Sequence, residues 1–178
     1  MDRARSQYDM KVLNLKHNTN PHGSPTPTFD EYVQNDIAAL KETGVLHDWL
    51  TVDFDEFFDS PECWQAWRTY LHSGLNAPVG MGLYALQLKP FQEQLPNNEF
   101  LVIMSEDLQS RTEVTYNRVL DFLGLKRHTL ISYPRANRSR QKHKMSNETQ
   151  KVLQHVFEPF NRKLAELLGK EWEGVWTS

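Results

Sequence analysis

Apolar residues recur at spacings of three and four along most of the chain, the period of helices that bury one stripe. Ala4, Tyr8, Val12 and Leu15 predict a first helix, and residues 18–27, rich in Pro, Gly and Asn, predict a loop. Thr28 with Glu31 three positions on predicts a capping box. Behind it Phe29, Tyr32, Val33, Ile37 and Leu40 form a stripe that Gly44 ends. A short strand is expected over residues 50–54. Ser60-Pro61 then opens a helix with the stripe Trp64, Trp67 and Leu71, stopped by Gly74. GLYALQLKPFQEQL places Tyr84, Leu88, Phe91 and Leu95 on one face, with a kink expected at Pro90. Further on, Ser110 and Glu113 predict a second capping box before Tyr116, Val119, Leu120 and Leu123, ended by Gly124. Ser146 caps a helix bearing Val152, Leu153, Val156 and Phe157. Pro159 is expected to break it, so that Phe160, Leu164, Leu167 and Leu168 belong to a separate last helix before Gly169.

One stretch departs from this period. In FLVIMSEDL, residues 100–108, five apolar residues follow one another without alternation before Ser105, Glu106 and Asp107. Such a run suits a parallel strand covered on both faces. A buried helix segment is the alternative, but the run is short and follows the turn-like Pro96-Asn97-Asn98. Helix, strand, helix in succession predicts an α/β fold, helix-rich and layered on a parallel sheet. The other strands of that sheet have to come from elsewhere.

Composition narrows the class. The 178 residues fit one domain, with 39% hydrophobic content, five Trp and nine Phe, enough for a core. No apolar stretch approaches the roughly 20 residues of a membrane helix, and no signal peptide opens the chain. The single cysteine, Cys63, excludes an internal disulfide and falls on an apolar helix face, which predicts a core thiol. There is no internal repeat and no domain-separating linker, so residues 1–178 read as one domain.

The net charge of −3 conceals a segregation. Ten acids and one base, Lys41, lie between Thr28 and Glu62. From Lys126 to Asn147 there is no acid, but there are seven bases, including Arg135, Arg138, Arg140, Lys142 and Lys144. Charge runs are most often solvated surface. A local basic segment on an acidic chain nevertheless suits a compact anion better than a nucleic acid. His143 and His155 lack metal-ligand partners at useful spacing. Glu106 and Asp107 end the apolar run, where acids usually cap or pair.

Several of these stretches in succession resemble the carbohydrate sulfotransferases, particularly the heparan sulfate glucosaminyl group. They are Gly82-Leu83-Tyr84-Ala85-Leu86-Gln87-Leu88, then FLVIMSEDL, then Val119-Leu120-Asp121-Phe122-Leu123-Gly124-Leu125, and last Pro159-Phe160-Asn161 with Leu164 and Leu168. No piece is specific alone, but their order and spacing are, and they cover most of the chain. The resemblance implies a P-loop nucleotide-binding-like sulfotransferase fold. It also implies transfer of a sulfuryl group from 3′-phosphoadenosine 5′-phosphosulfate to a hydroxyl or amine of a polysaccharide or glycan, with no metal.

The resemblance also marks residues. Arg3-Ala4-Arg5-Ser6-Gln7-Tyr8 is similar to the family element that binds the donor's 3′-phosphate, with Arg3 and Ser6 matching its arginine and serine. A hydroxyl and amides near a helix start, with guanidinium charge, suit a phosphate dianion. Arg138-Ser139-Arg140 stands where the family has a Lys-Gly-Arg loop that closes over the donor. Ser139 in place of the glycine leaves that loop less conformational freedom. Asn137-Arg138-Ser139 and Asn147-Glu148-Thr149 are formal glycosylation acceptors. The first is expected to stay unused because a glycan would crowd the donor loop.

The family's Lys-x-Gly-Thr-Thr-like loop, whose amides and lysine converge on the phosphosulfate, has no match in the chain. Nor is the family's general base recognisable. The chain therefore reads as the C-terminal portion of such an enzyme, expected to be inactive alone, with catalytic residues unassigned. Two alternatives stand beside it: a degenerate, non-catalytic binding module, and another nucleotide-binding transferase such as a kinase. A kinase would need a phosphate-cradling glycine loop, which is not visible. The family suggests a Golgi lumen and an upstream anchor, neither of which can be read from these residues.

Overall fold

The computed structural model describes residues 27–73, 78–96, 99–132 and 145–176. These divide into two compact units: residues up to Gln94 together with those from Met145 onward, and residues from Leu95 to 132. The helix expected around Ala4, Tyr8, Val12 and Leu15, and the stop at Gly74, lie outside the described residues.

In the first unit, helix α1 (Phe29–Glu42) begins as its sequence dictates. The Glu31 N–H donates to the Thr28 hydroxyl at 3.2 Å, and the Thr28 N–H donates to the Glu31 carboxylate at 2.7 Å, which completes the capping box. Phe29, Tyr32, Val33, Ile37 and Leu40 are buried as expected, and Asp36 is buried among them. Gly44 adopts φ +80, a conformation glycine enters at little cost. There the Val45 N–H reaches the Leu40 carbonyl at 2.8 Å, with both side chains fully buried.

Residues 50–54 do not form the expected strand. The Leu50 N–H donates to the Asp48 carboxylate, and the Thr51 and Val52 N–H groups donate to the Asp48 carbonyl. This turn, built around an Asp that bonds its own following backbone, leaves Leu50 95% exposed. Helix α2 (Phe54–Phe58) follows at once, capped by Asp53, and seats Phe54 and Phe58 in the core four residues apart. Turn chemistry replaced the expected strand.

Helix α3 (Pro61–His72) starts at Ser60-Pro61 as predicted, with the Cys63 N–H donating to the Ser60 hydroxyl at 3.2 Å. Its buried face is Cys63, Ala66, Trp67 and Tyr70, so that of the expected Trp64, Trp67 and Leu71 only Trp67 is buried. Trp64 is half-buried and Leu71 exposed. Ala66 packs beside the turn that follows α1, where a Cβ on Gly44 would meet that of Ala66 at 3.8 Å, an ordinary contact.

After the short 3-10 turn Gly80–Gly82, helix α4 (Tyr84–Gln94) contains Pro90 in its body and packs on helix α7 (Asn147–Leu168). Here too the expected stripe is displaced. Ala85, Leu86 and Lys89 are buried, while Tyr84, Phe91 and Leu95 are exposed. Helix α7 is one continuous element of 22 residues, capped by Ser146 as predicted, and it runs through Pro159 rather than breaking there. A proline inside a helix costs about 3 kcal/mol. Burial of Val156, Phe160 and Leu164 on the flanking turns opposes that cost, each worth roughly 1.5–3 kcal/mol. Phe160 meets Phe54 edge-on at 5.0 Å between centroids, closing an aromatic core with Phe58 and Trp49.

In the second unit, residues 100–104 show no regular secondary structure and are half-exposed or more. The SEDL end of the expected strand is instead the start of helix α5 (Ser105–Ser110). Among the described residues there is no strand, so these apolar residues have no ladder partner. Helix α6 (Thr112–Phe122) follows across Arg111, without the predicted capping box. The Ser110 hydroxyl donates back to the Glu106 carbonyl at 2.7 Å and so serves α5. Gly124 ends α6 as expected, and the Leu125 N–H bonds the Leu120 carbonyl at 2.8 Å. Among the described residues no helix is long and apolar enough to cross a membrane.

Candidate functional site

All the donor-binding residues marked by sequence, Arg3, Ser6, Arg138, Ser139 and Arg140, lie outside the described residues, as do Asn137 and His143. Glu106 and Asp107 make contacts within their own helix and the next one. Asp107 pairs with Arg111, and its carbonyl accepts the Thr115 hydroxyl at 3.1 Å. Glu106 accepts the Ser105 hydroxyl at 3.0 Å. His155 is exposed on α7.

The first unit concentrates its polar chemistry in three places that the stripes did not reveal. The first is Asp36, 3% exposed. One carboxylate oxygen accepts the Tyr70 hydroxyl, and the other accepts the N–H groups of Val79, at 2.7 Å, and Gly80, at 3.2 Å. This clamp joins α1, α3 and the turn leading into α4. Burial raises the Asp36 pKa, and the three hydrogen bonds oppose that rise. Burial also pushes the Tyr70 phenol up, helped by its carboxylate partner. The turn needs its glycines. A Cβ on Gly80 would lie 2.3 Å from the Tyr70 hydroxyl, and one on Gly82 would lie 2.8 Å from the Phe157 ring.

The second is an ion-pair network between α2, α4 and α7. Lys89 donates to Asp59 at 2.5 Å, and Lys163 reaches Asp59 at 3.3 Å and Asp55 at 3.4 Å. Arg162 holds Asp55 at 3.0 Å and Glu166 at 3.3 Å. The two lysine side chains are only 11% and 13% exposed, and both ammonium groups sit over the Phe58 ring. The Lys89 hydrogen bond holds Asp59 below its ordinary pKa, and the Arg162 hydrogen bond does the same for Asp55. Cys63 is fully buried, and desolvation pushes its thiol up to about 12, so it is the core residue the sequence predicted.

The third comprises two concave surfaces. One, of about 810 Å³, runs along the outer side of α3, lined by Trp64, Gln65, Arg68, Thr69 and His72 and bordered by Thr43 at the end of α1. The other, of about 340 Å³, lies beyond the end of α7. Trp172 and Trp176 stack there with centroids 5.3 Å apart, among Glu158, Glu166 and Glu173. Spacing along α3 could have exposed the first of these. Trp64, Arg68 and His72 stand four apart, on one ridge.

Helices that close a compact core around a glycine turn, with chemistry gathered in the flanking clefts, leave the class open until relatives are considered. The family model described as "Sulfotransferase domain" matches residues 32–172, and the chain belongs to that family. Membership implies the P-loop-like α/β fold, although the described residues contain helices and no strand. Human carbohydrate sulfotransferase 15 is 29% identical over 111 residues, covering 57% of this chain and 20% of the relative. A protein of the same name from Nototodarus sloanii is 31% identical over 104 residues, 53% of this chain and 64% of that one. Mouse heparan sulfate glucosamine 3-O-sulfotransferase 3A1 is 28% identical over 121 residues, 54% and 31% respectively. The chain thus spans less than two thirds of the length of each of these relatives. No solved structure matches it.

Proposed function

We propose that the protein of which these residues form the sulfotransferase portion moves a sulfuryl group from 3′-phosphoadenosine 5′-phosphosulfate to a hydroxyl or amine of a carbohydrate. The observation that carries this is the family match over residues 32–172, supported by relatives whose names specify carbohydrate and heparan sulfate acceptors. In the reaction the acceptor oxygen or nitrogen forms a bond to sulfur as the bond from sulfur to the donor phosphate oxygen breaks. The acceptor gives up its proton, and adenosine 3′,5′-bisphosphate leaves. Such a transfer depends on in-line positioning and on stabilised charge at the equatorial oxygens, by analogy with phosphoryl transfer.

Arg3 and Ser6 would hold the 3′-phosphate, and Arg138, Ser139 and Arg140 would close over the donor. Residues 100–104 would be the strand their composition describes, paired within the parallel sheet of the family fold. Calorimetry with adenosine 3′,5′-bisphosphate tests the donor assignment. Each charge-assisted contact to phosphate is worth roughly 1.5–3 kcal/mol, so Arg138→Ala with Arg140→Ala is expected to weaken binding at least tenfold. Lys142→Ala with Lys144→Ala is expected to weaken it much less. Equal losses for the two basic pairs would reduce the clamp to a diffuse basic surface. Transfer of labelled sulfate to a glycan acceptor tests the reaction itself.

A further inference from the structure

The acceptor sequence Asn147-Glu148-Thr149 opens helix α7, and the fold accounts for every residue of that first turn except Asn147. Ser146 is the N-cap, its hydroxyl accepting the Thr149 N–H at 3.1 Å. Thr149 is 3% exposed, and its own hydroxyl accepts that of Ser146 at 3.0 Å. Glu148 puts negative charge where the helix dipole favours it. The Asn147 side chain is exposed and makes no hydrogen bond with the described residues. Asparagine is a weak helix former, and the position that would suit it, the N-cap, is already taken.

Direction and anchorage decide whether a bulky group fits there. At 3.6 residues per turn Asn147 stands about 200° round the helix from Thr149. It therefore points away from the buried face made by Thr149, Leu153, Val156 and Phe160. Lys151 and Glu158 continue the exposed side along the helix. The start of α7 is held in place, because Met145 packs against the core and the Ser146 N–H reaches the Asp30 carboxylate at 3.5 Å. A group on Asn147 thus grows into solvent from a fixed point. Asn147 lies seven residues beyond Arg140, with the anchored Met145 between them, whereas Asn137 adjoins Arg138 directly.

We propose that Asn147 is a site of N-linked glycosylation and that Asn137 is not. The co-substrate is a polyprenyl-diphosphate-linked oligosaccharide of the secretory lumen. Asn147 Nδ2 forms a bond to the anomeric carbon as the bond from that carbon to the diphosphate oxygen breaks. The amide gives up one proton, and the polyprenyl diphosphate leaves. Glu148 is allowed in the middle position, from which only proline is barred. The glycan adds a solubilising group where α7 begins beside α1. The proposal takes the secretory lumen from the sulfotransferase reading, while the choice between the two asparagines rests on the fold and on the donor loop.

The test begins with the whole chain behind a cleavable secretion signal, translated with microsomes and run before and after treatment with a peptide-N-glycosidase. Glycan transfer acts on the emerging chain, so a variant that fails to fold still reports. One glycosidase-sensitive shift is expected. It should be lost in Asn147→Gln and in Thr149→Ala, and kept in Thr149→Ser and in Asn137→Gln. The natural protein is then digested with trypsin, which releases residues 145–151 by cleavage after Lys144 and Lys151. That peptide should appear after glycosidase treatment, with the Asn147 amide hydrolysed, and be missing before it. No shift in microsomes, a shift that survives Asn147→Gln, or an unmodified peptide in the natural protein would each overturn the proposal. A shift lost in Asn137→Gln would do the same. Calorimetry with adenosine 3′,5′-bisphosphate on the treated and untreated protein keeps the two readings apart. Absence of bisphosphate binding in both forms, with the glycan results intact, would count against the donor reading alone.

Discussion

Asp36 shows how far one side chain departs from what a stripe predicts. It stands on the apolar face of α1 between Val33 and Leu40, where an acid ought to be excluded, yet it is buried and accepts three hydrogen bonds. The acid inside the stripe was itself the signal, but its donors lie 34 to 44 residues away and nothing local names them. Asp36→Ala is expected to cost on the order of 3–5 kcal/mol, because a hydroxyl and two amides lose their acceptor together. Tyr70→Phe should cost only about 1–2 kcal/mol, since the carboxylate keeps both amides. Asp36→Asn should fall between them. Urea denaturation of the three variants measures the order, and equal small losses would show that the carboxylate holds nothing together.

At the scale of elements, the caps were the most legible feature and the faces the least. Thr28 with Glu31, Ser60-Pro61 and Ser146 all start helices, because each cap is written in three or four adjacent residues. The buried faces of α3 and α4 were displaced because hydrophobicity alone ignores how closely neighbours approach. Cys63 and Ala66 share the inward face of α3 with Trp67 and Tyr70, Trp64 packs against the core from the edge of that face, and Leu71 is exposed. Likewise Lys89 is buried while Phe91 is not, since Asp59 and the Phe58 ring receive its ammonium. The turn between α3 and α4 is fixed by size in the same way. Gly80→Ala should displace the Tyr70 ring and cost more than Tyr70→Phe, because it disturbs both the ring and the two amides that meet Asp36. A melting temperature at or above that of Tyr70→Phe would contradict this.

For the whole molecule, the acidic run from Thr28 to Glu62 proves to be more than solvated surface. Asp36 is buried, Asp53 caps α2, and Asp55 and Asp59 neutralise Lys89, Arg162 and Lys163. Asp55 and Asp59 titrate below their unfolded value of about 3.9, so the stability they contribute is present above that pH. It is lost as pH falls through their lower folded values. Asp36, with its raised pKa, acts in the opposite sense and is relieved by acid. Stability should therefore begin to fall only below about pH 4. Asp59→Asn should flatten that acid limb, and salt should do so partly, because both carboxylates are half-exposed. A pH series of denaturation midpoints that is no flatter in Asp59→Asn would remove the network from the balance. The family was legible from four short stretches in order, whereas the Asp36 clamp and the ion pairs of Asp55 and Asp59 were not, because their partners lie 30 or more residues away in the sequence.

The sealed sulfur of Cys63 has a practical corollary for anyone handling the protein. As the single thiol in the chain, with no exposure and little tendency to ionise, it is silent towards alkylating reagents while the core is closed. Whatever modification occurs counts molecules in which the core around Cys63 has opened. The chain thus carries its own chemical clock for unfolding, read by mass, with no engineered label and no second cysteine to confuse it.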